Sequence, residues 1–359
     1  MRRTIKFSIK SANTNKLKKL AQLRRVYLDA VNYYIKRLAK ESLYILNNKE
    51  VQKLNSELSY SFKQCAYRQA EKIWKSWRRG YKRNSSLPKF KGSLILDQRF
   101  VKFEKSKNSF DYWVKISTLE KNKRVSIPLN TYGYANNYFQ DWELVNGCRL
   151  KKVGDDWTLY LTFEKETPAI KEEGREIGID IGIKKLMTTS DRRYYGRKIE
   201  GLMDKIQRKE QKSKAFYRAL KERNEYINHT AKQLPYQRLK TIVVENIKDI
   251  FRNSKKDRKL GRQQRSKFQR WCYSHLFERL KQLAEATGVH LLSVSPIHTS
   301  QRCSECDFVH SLNRKGEDFF CRKCGYKADG DWNASKNILQ IYLAQEHTLP
   351  WKQKRVTIS

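Results

Sequence analysis

Four of the seven cysteines stand in two close pairs, Cys303/Cys306 and Cys321/Cys324, in the spacing C-x2-C-x14-C-x2-C. Each pair makes a knuckle presenting two thiolates, and two knuckles complete a tetrahedron around one Zn²⁺. Four thiolates leave no open coordination position, so the site they imply is structural and not hydrolytic. No other local pattern constrains the fold so tightly: the segment around these pairs must close as a ribbon on a metal ion. Cys65, Cys148 and Cys272 are scattered and read as ordinary thiols in a reducing compartment, with no disulfide expected.

Charge narrows the partner. Lys and Arg number 77 against 37 Asp and Glu, a net charge of +40. Such an excess is neutralised by a polyanion, through phosphate contacts that weaken steeply with salt. A nucleic-acid enzyme and a ribosomal or chromatin-like scaffold fit that charge equally. The 8 Trp, 20 Tyr and 15 Phe rule out a disordered basic tail, and they serve packed cores and base-stacking platforms alike. No apolar run reaches the ~20 residues that span a membrane. The opening Met1-Arg2-Arg3-Thr4-Ile5 has no apolar segment behind it, so no signal peptide is expected.

Periodicity divides the chain. Residues 4–9 alternate polar and apolar as a half-buried strand does. Thr14 or Asn15 is expected to cap a helix carrying Leu17, Leu20, Tyr27, Val31, Tyr34 and Leu38 on one face. A second helix is expected over residues 51–82, with Leu58, Phe62, Cys65, Ala66, Ile73 and Trp77 as its inner stripe. Lys72, Lys75, Arg78, Arg79 and Lys82 lie on its basic face. Singly, such residues decorate a solvated surface; together they suit a phosphate backbone. Strands follow at residues 112–116, 124–128 and 157–163, giving a small β-barrel with the helical pair inserted after its first strand. Beyond a polar, acidic connection at residues 165–175 the pattern becomes alternating α/β. Strands are expected at residues 176–183, 241–245 and 289–294, a helical hairpin at 198–234, and helices at 267–286 and from Asp331 onward.

Three acids stand out on these elements. In Ile177-Gly178-Ile179-Asp180-Ile181-Gly182-Ile183 the four isoleucines share one face, leaving Asp180 between two glycines on the other. That face has room for a cation and a phosphate; an edge-strand structural Asp is the plainer alternative. Glu245 ends the apolar strand Ile242-Val243-Val244, where α/β sheets present ligands. Asp331 opens the last helix, where an Asp also serves as an ordinary cap. Three carboxylates together suit a pair of Mg²⁺ ions, which take hard oxygen ligands and promote in-line phosphodiester hydrolysis.

Residues 178–184, Gly-Ile-Asp-Ile-Gly-Ile-Lys, resemble the first RuvC motif of the TnpB family and of the miniature type V CRISPR effectors. Val243-Val244-Glu245-Asn246 resembles the second motif, and Asp331-Trp332-Asn333-Ala334 the third. Residues 295–306 and 321–326 are similar to the stretch containing the family's zinc ribbon. Pro88-Lys89-Phe90-Lys91 and residues 157–166 are family-like more weakly. The resemblance makes Asp180, Glu245 and Asp331 the metal-binding triad, with Asp331 preferred to Asp329 because it stands two residues before Asn333. Asp307 replaces a common glycine and Ser335 a usual alanine; neither change touches a carboxylate.

The resemblance implies an α+β multidomain protein. Residues 1–10 and 87–172 would form a wedge β-barrel, with a REC-like helical insert at 11–86. Residues 173–298 would be a RuvC/RNase H-like core with its basic lid loop, 299–328 the zinc ribbon, 329–345 the last motif and helix, and 346–359 a flexible tail. It implies an RNA-guided, Mg²⁺- or Mn²⁺-dependent DNA endonuclease with two catalytic ions, one structural Zn²⁺ and a guide RNA. Its partners would be the guide RNA and a double-stranded DNA target beside a short adjacent motif, without a membrane, as a monomer in a prokaryotic cytoplasm and nucleoid-associated when DNA-bound. Candidate nucleic-acid contacts are Lys72, Lys75, Arg78, Arg79 and Lys82, the lid residues Arg258, Arg262 and Arg265, and Arg302. The rivals are a guide-RNA-bound repressor, a RuvC-fold nuclease acting without RNA, and a strand-joining transposase.

Overall fold

The computed structural model describes residues 1–40, 45–80, 86–106, 110–145, 147–246 and 273–348. Lys82, Arg258, Arg262, Arg265, the basic segment 252–267, the first residues of the helix expected from 267, and 349–359 lie outside the described residues. The chain divides into two units, Met1–Glu166 and Thr167–Ser359. No described helix is long and apolar enough to cross a membrane.

The first unit opens with β1 (Arg2–Ser8), followed by α1 (Thr14–Lys40), α2 (Asn48–Gln52) and α3 (Tyr60–Arg79). Strands β2 (Leu94–Leu96), β3 (Val101–Lys105), β4 (Tyr112–Ser117) and β5 (Arg124–Leu129) lead to α4 (Gly133–Asp141). Then come β6 (Glu143–Leu144), β7 (Cys148–Val153) and β8 (Asp156–Glu164). They make two antiparallel sheets: β1-β8-β7-β2 with β6 also on β8, and the meander β3-β4-β5. β8 alternates cleanly, burying Trp157, Leu159, Leu161 and Phe163 while the intervening residues stay partly exposed, the mark of a sheet covered on one face.

The helix expected over residues 51–82 is two helices. Asn47 and Glu50 close a reciprocal capping box on α2, and α3 begins only after Ser59, which is extended. Between them Ser56 Oγ accepts from the Leu58 N–H at 3.3 Å, local side-chain competition for the backbone of the kind that stops a helix. Leu54 and Leu58 are still buried, so the apolar stripe survives a break its spacing concealed. At α1 the cap is Asn13, whose Oδ1 accepts from the Lys16 N–H at 3.0 Å, one residue before the expected Thr14.

The second unit contains β9 (Arg175–Asp180), β10 (Met187–Thr189), β11 (Tyr194–Tyr195), α5 (Ile199–Gln207), α6 (Lys214–Ala231) and β12 (Leu239–Glu245). After these come α7 (Tyr273–Thr287), β13 (His290–Val294), β14 (Arg314–Lys315), β15 (Asp318–Phe320), β16 (Lys327–Asp329) and α8 (Gly330–Thr348). The main sheet runs β11-β10-β9-β12-β13, with β9, β12 and β13 parallel and β10 pairing antiparallel with both β9 and β11. Its central strands are apolar on both faces, as parallel strands between helices must be. Ile177, Ile179, Ile242 and Val244 share one buried cluster with α5, α6 and α7. Val243, Leu292 and Val294 share another with Ile338 and Tyr342 of α8. The period of two therefore sends alternate residues to opposite helical layers.

β9 ends at Asp180, earlier than the sequence pattern suggests; Ile177, Ile179 and Ile181 are buried while Ile183 is half-exposed in the following turn.

Candidate active site

Three acids are brought to the α8 side of the main sheet. Register pairs Val243 with Gly178 and Val244 with Ile179. One further step places Glu245 beside Asp180, at the C-terminal ends of adjacent strands ~4.8 Å apart. Paired residues face alike, so Glu245 and Asp180 lie on the face of Val243 and Gly178, which α8 covers.

Gly178 explains how α8 gets there. A Cβ built on it would lie 2.2 Å from the Ser335 carbonyl and 2.8 Å from the Leu339 amide. Only glycine lets the helix backbone come this close. Asp331 stands one helical turn before Ser335 on the same side of α8, and Asp180 stands two residues after Gly178 on the same side of β9. The close approach thus aims Asp331 at Asp180. The expectation that Gly178 leaves room for a cation and phosphate is corrected: the helix backbone fills that room. Gly182 serves a turn, its absent Cβ lying 2.9 Å from the Lys185 carbonyl.

The electrostatics follow from this convergence. Burial pushes the Asp180 carboxyl well above the ordinary carboxylate range, and the charges of Glu245 and Asp331 push it further, against the pull of Arg314. Burial also raises Glu245, against a hydrogen bond from the Thr299 hydroxyl and the charge of Arg314. Among the described residues the Asp180 carboxyl has no hydrogen-bond or ion-pair partner. A buried carboxylate set between two other acids without a partner is costly, and a hard divalent cation is the group its oxygens fit.

Asp329 and Asp331 have different jobs. Asp329 Oδ1 accepts from the Asp331 and Trp332 N–H groups at 3.1 and 3.0 Å, making it the helix cap. Asp331, 8% exposed, is spared that role. Its Oδ1 takes Arg314 Nη2 at 2.5 Å, and its Oδ2 lies 3.4 Å from Lys185 Nζ.

The cysteines form a second, tighter group. Four sulfurs around one Zn²⁺ at ~2.3 Å lie ~3.8 Å apart. Here Cys303–Cys324 and Cys306–Cys321 are 3.7 and 3.6 Å apart, and all four sulfurs fall within 4.8 Å of one another. This cluster can hold zinc. Among the described residues no other set of His, Cys, Asp or Glu donors closes to that distance, and the three carboxylates do not.

The two knuckles repeat one backbone pattern. Cys303 N–H donates to Phe308 O and Asp307 N–H to Cys303 O; Cys321 N–H donates to Tyr326 O and Gly325 N–H to Cys321 O. Asp307 and Gly325 therefore occupy equivalent left-handed positions, φ 60° and 74°. Glycine does this without strain, and Asp307 is held there by Arg302 Nε at 2.8 Å. Burial pushes the Cys303 thiol up to about 12. Cys321 is held to about 6 despite its desolvation, by the backbone N–H groups of Cys324 and Lys323.

Asparagines join the two groups, and sequence reasoning missed them. Asn333 Oδ1 accepts from Ser304 N–H at 3.0 Å while its Nδ2 donates to Arg302 O at 2.8 Å. Asn337 Nδ2 donates to Thr299 O and Arg302 O. Both Asn333 and Asn337 are fully buried. Asn313 spans the knuckles, bonding Gln301 O, Phe308 O and the Arg322 N–H. The i, i+4 spacing of Asn333 and Asn337 was the one available signal.

Of the basic candidates, Lys72, Arg78 and Arg79 are exposed on α3, whereas Lys75 pairs with Glu71 at 2.7 Å. Arg302 is committed to Asp307.

The architecture defines a mixed α/β multidomain protein with a cysteine ribbon leading into the last helix. The Cas12f1-like, TNB domain family matches residues 273–338. A CRISPR-associated endodeoxyribonuclease Cas12f1 from Sulfoacidibacillus thermotolerans is 45% identical over 71 residues, covering 20% of this chain and 17% of that protein. The TnpB-like protein aq_aa05 of Aquifex aeolicus (strain VF5) is 32% identical over 106 residues, covering 29% and 33%. InsQ of Escherichia coli (strain K12), whose name marks it as a proposed RNA-guided DNA endonuclease, is 26% identical over 284 residues, covering 67% and 68%. The matching regions thus span about a sixth of that Cas12f1 and a third of aq_aa05. A solved Cas12f1–sgRNA–target DNA complex shares the fold, with TM-score 0.59 at 15% identity over 94% of this chain and 98% of that one. A mini-RNA-guided endonuclease, CRISPR-Cas_phi3, does so at TM-score 0.53 and 10% identity over 95% and 92%. The chain is thus similar in sequence to Cas12f1 and TnpB-like proteins, and in fold to the miniature RNA-guided endonucleases.

Proposed function

We propose that the chain is an RNA-guided DNA endonuclease whose RuvC-type core cuts DNA at Asp180, Glu245 and Asp331. The observation that carries the reading is the strand register: Glu245 falls beside Asp180, and Gly178 admits the helix that brings Asp331 toward Asp180. Two divalent cations, when bound there, would supply an activated water and stabilise the leaving oxygen.

The chain's own residues do the rest. Asp180, Glu245 and Asp331 would hold the ions, with Glu245 oriented by the Thr299 hydroxyl and Asp331 freed from capping by Asp329. Zinc on the four cysteines would fix the ribbon, and through Asn333 the start of α8. The first unit, as wedge barrel and REC-like insert, would hold the guide RNA, with Lys72, Lys75, Arg78 and Arg79 facing phosphates. Base pairing would then select the target beside a short adjacent motif. A single chain acting in the cytoplasm on nucleoid DNA suffices for this reading.

The test is cleavage of a guide-matched plasmid in Mg²⁺ by the wild type and by Asp180→Ala. Cutting by the wild type alone supports the proposal; equal nicking by both defeats the site. Purification without a specific co-bound RNA favours an RNA-independent nuclease, and guided binding without cutting favours a repressor.

A further inference from the structure

The ribbon reaches back into the carboxylate site through one short hairpin. Arg314 of β14 donates to Asp331 Oδ1 at 2.5 Å and to Gly330 O at 3.2 Å. Three residues on, Glu317 accepts the Gly330 N–H at 2.6 Å and pairs with Lys184 and Lys185 at 3.1 and 3.0 Å. Lys185, on the turn after β9, also pairs with Asp329 at 2.6 Å and lies 3.4 Å from Asp331 Oδ2. Both oxygens of one candidate ligand are therefore held by cations of the chain, from two different elements. The Lys185 side chain is 16% exposed and Arg314 22%, so neither pair is an ordinary surface bridge of negligible strength.

We infer that Arg314 and Lys185 are internal counter-ions that compete with divalent cations for Asp331, and that residues 314–317 form a latch which metal loading opens. This rests on the reading of the three acids as metal ligands. The physical reason is charge balance. Two divalent cations bring four positive charges to three carboxylates, and a guanidinium and an ammonium left on Asp331 would be repelled. Released together, Arg314 becomes available to a phosphate, which its planar fork suits. Lys185 already borders an open cavity of about 480 Å³ lined also by Lys184, Tyr194 and Arg197, where its freed side chain has room.

A purely structural role for Arg314 makes the opposite forecast: removing it should loosen Asp331 and weaken metal binding. The experiment titrates Mn²⁺ into the full chain with its zinc retained, reading the melting temperature for wild type, Arg314→Met, Arg314→Lys and Asp180→Asn. The Met variant should melt lower without Mn²⁺ yet half-saturate at roughly ten- to hundredfold lower Mn²⁺, the equilibrium counterpart of one charge-assisted hydrogen bond. The Lys variant should fall between. Equal or weaker Mn²⁺ binding by a folded Met variant overturns the latch. A wild type no more responsive to Mn²⁺ than Asp180→Asn overturns the metal site itself, and the latch with it. Should the Met variant not fold, hydrogen exchange on the wild type decides. The Gly330 amide, bonded to Glu317 O, should exchange faster with Mn²⁺ bound; unchanged exchange at saturating Mn²⁺ overturns the latch.

Discussion

The cysteine cluster and the proposed carboxylate site of the second unit are built on opposite plans. The four sulfurs come from two copies of one knuckle, already 3.6 and 3.7 Å apart in cross-pairs. The three carboxylates come from two strands and a helix, wider apart, with Asp331 tied to Arg314 and Lys185. The first cluster is closed and locally encoded. The second is open and exists only because a sheet register and a glycine contact assemble it. A structural ion can be trapped permanently; ions that work on a substrate need donors that admit exchange.

The largest effect should come from breaking the closed cluster. Cys321→Ser should take bound zinc from about one per chain to near none, because structural zinc supplies the folding energy of such a ribbon. Residues 299–329 should then lose protection from hydrogen exchange, while β9, β12 and β13 keep theirs. Measured zinc content that stays at one atom per chain would mean that the cluster is not the zinc site.

Next in size is the helix contact that assembles the open cluster. Gly178→Ala would force a methyl to within 2.2 Å of Ser335 O, and overpacking of this kind costs about 1–3 kcal/mol. Urea unfolding should show the loss, and Mn²⁺ binding should weaken with it while zinc content holds. Stability at the wild-type level would show that α8 does not need the glycine.

The link between the clusters should be worth somewhat less. Asn333→Ala leaves the Ser304 N–H without its acceptor and takes from Arg302 O one of its two asparagine donors, in a fully buried setting. About 1–3 kcal/mol is expected, with both zinc retention and Mn²⁺ binding impaired. Impairment of only one would mean that the clusters are independent.

These contrasts explain what the sequence could disclose. The knuckles were legible because their chemistry is complete within four residues each. Asp180 and Glu245 were legible as acids on apolar strands, since strand period alone sets their face. Asp331 needed the family motif to separate it from Asp329; the physical reason, that Asp329 does the capping, lies in hydrogen bonds two residues long that spacing does not reveal. Gly178 was read as space for a ligand because a glycine declares only that something comes close, not what. Asn313, Asn333 and Asn337 bond backbone atoms 5 to 38 residues away, and no local pattern points there. The break between α2 and α3 was hidden because the buried leucines 54 and 58 keep helical spacing across it.

The smallest effect has a sign that separates the two plans. Burial, then Glu245 and Asp331, raise Asp180 above its unfolded value of ~3.9. A group raised on folding favours the folded state fully below the unfolded value, and that contribution is lost as pH climbs through the folded one. Asparagine imitates the protonated acid at every pH. Without added divalent cation, Asp180→Asn and wild type should therefore melt together near pH 4, and the variant should melt a few degrees higher at pH 8. Adding Mg²⁺ at pH 8 should raise only the wild type and close the gap, because the ion needs the ionised carboxylate that the empty fold disfavours. The same substitution at a sulfur of the closed cluster has no such reversal, since nothing there gains by losing its ligand. A variant that melts lower than wild type at pH 8 would mean that Asp180 is satisfied by the fold itself, and that the carboxylate cluster is a structural network with no call for an ion.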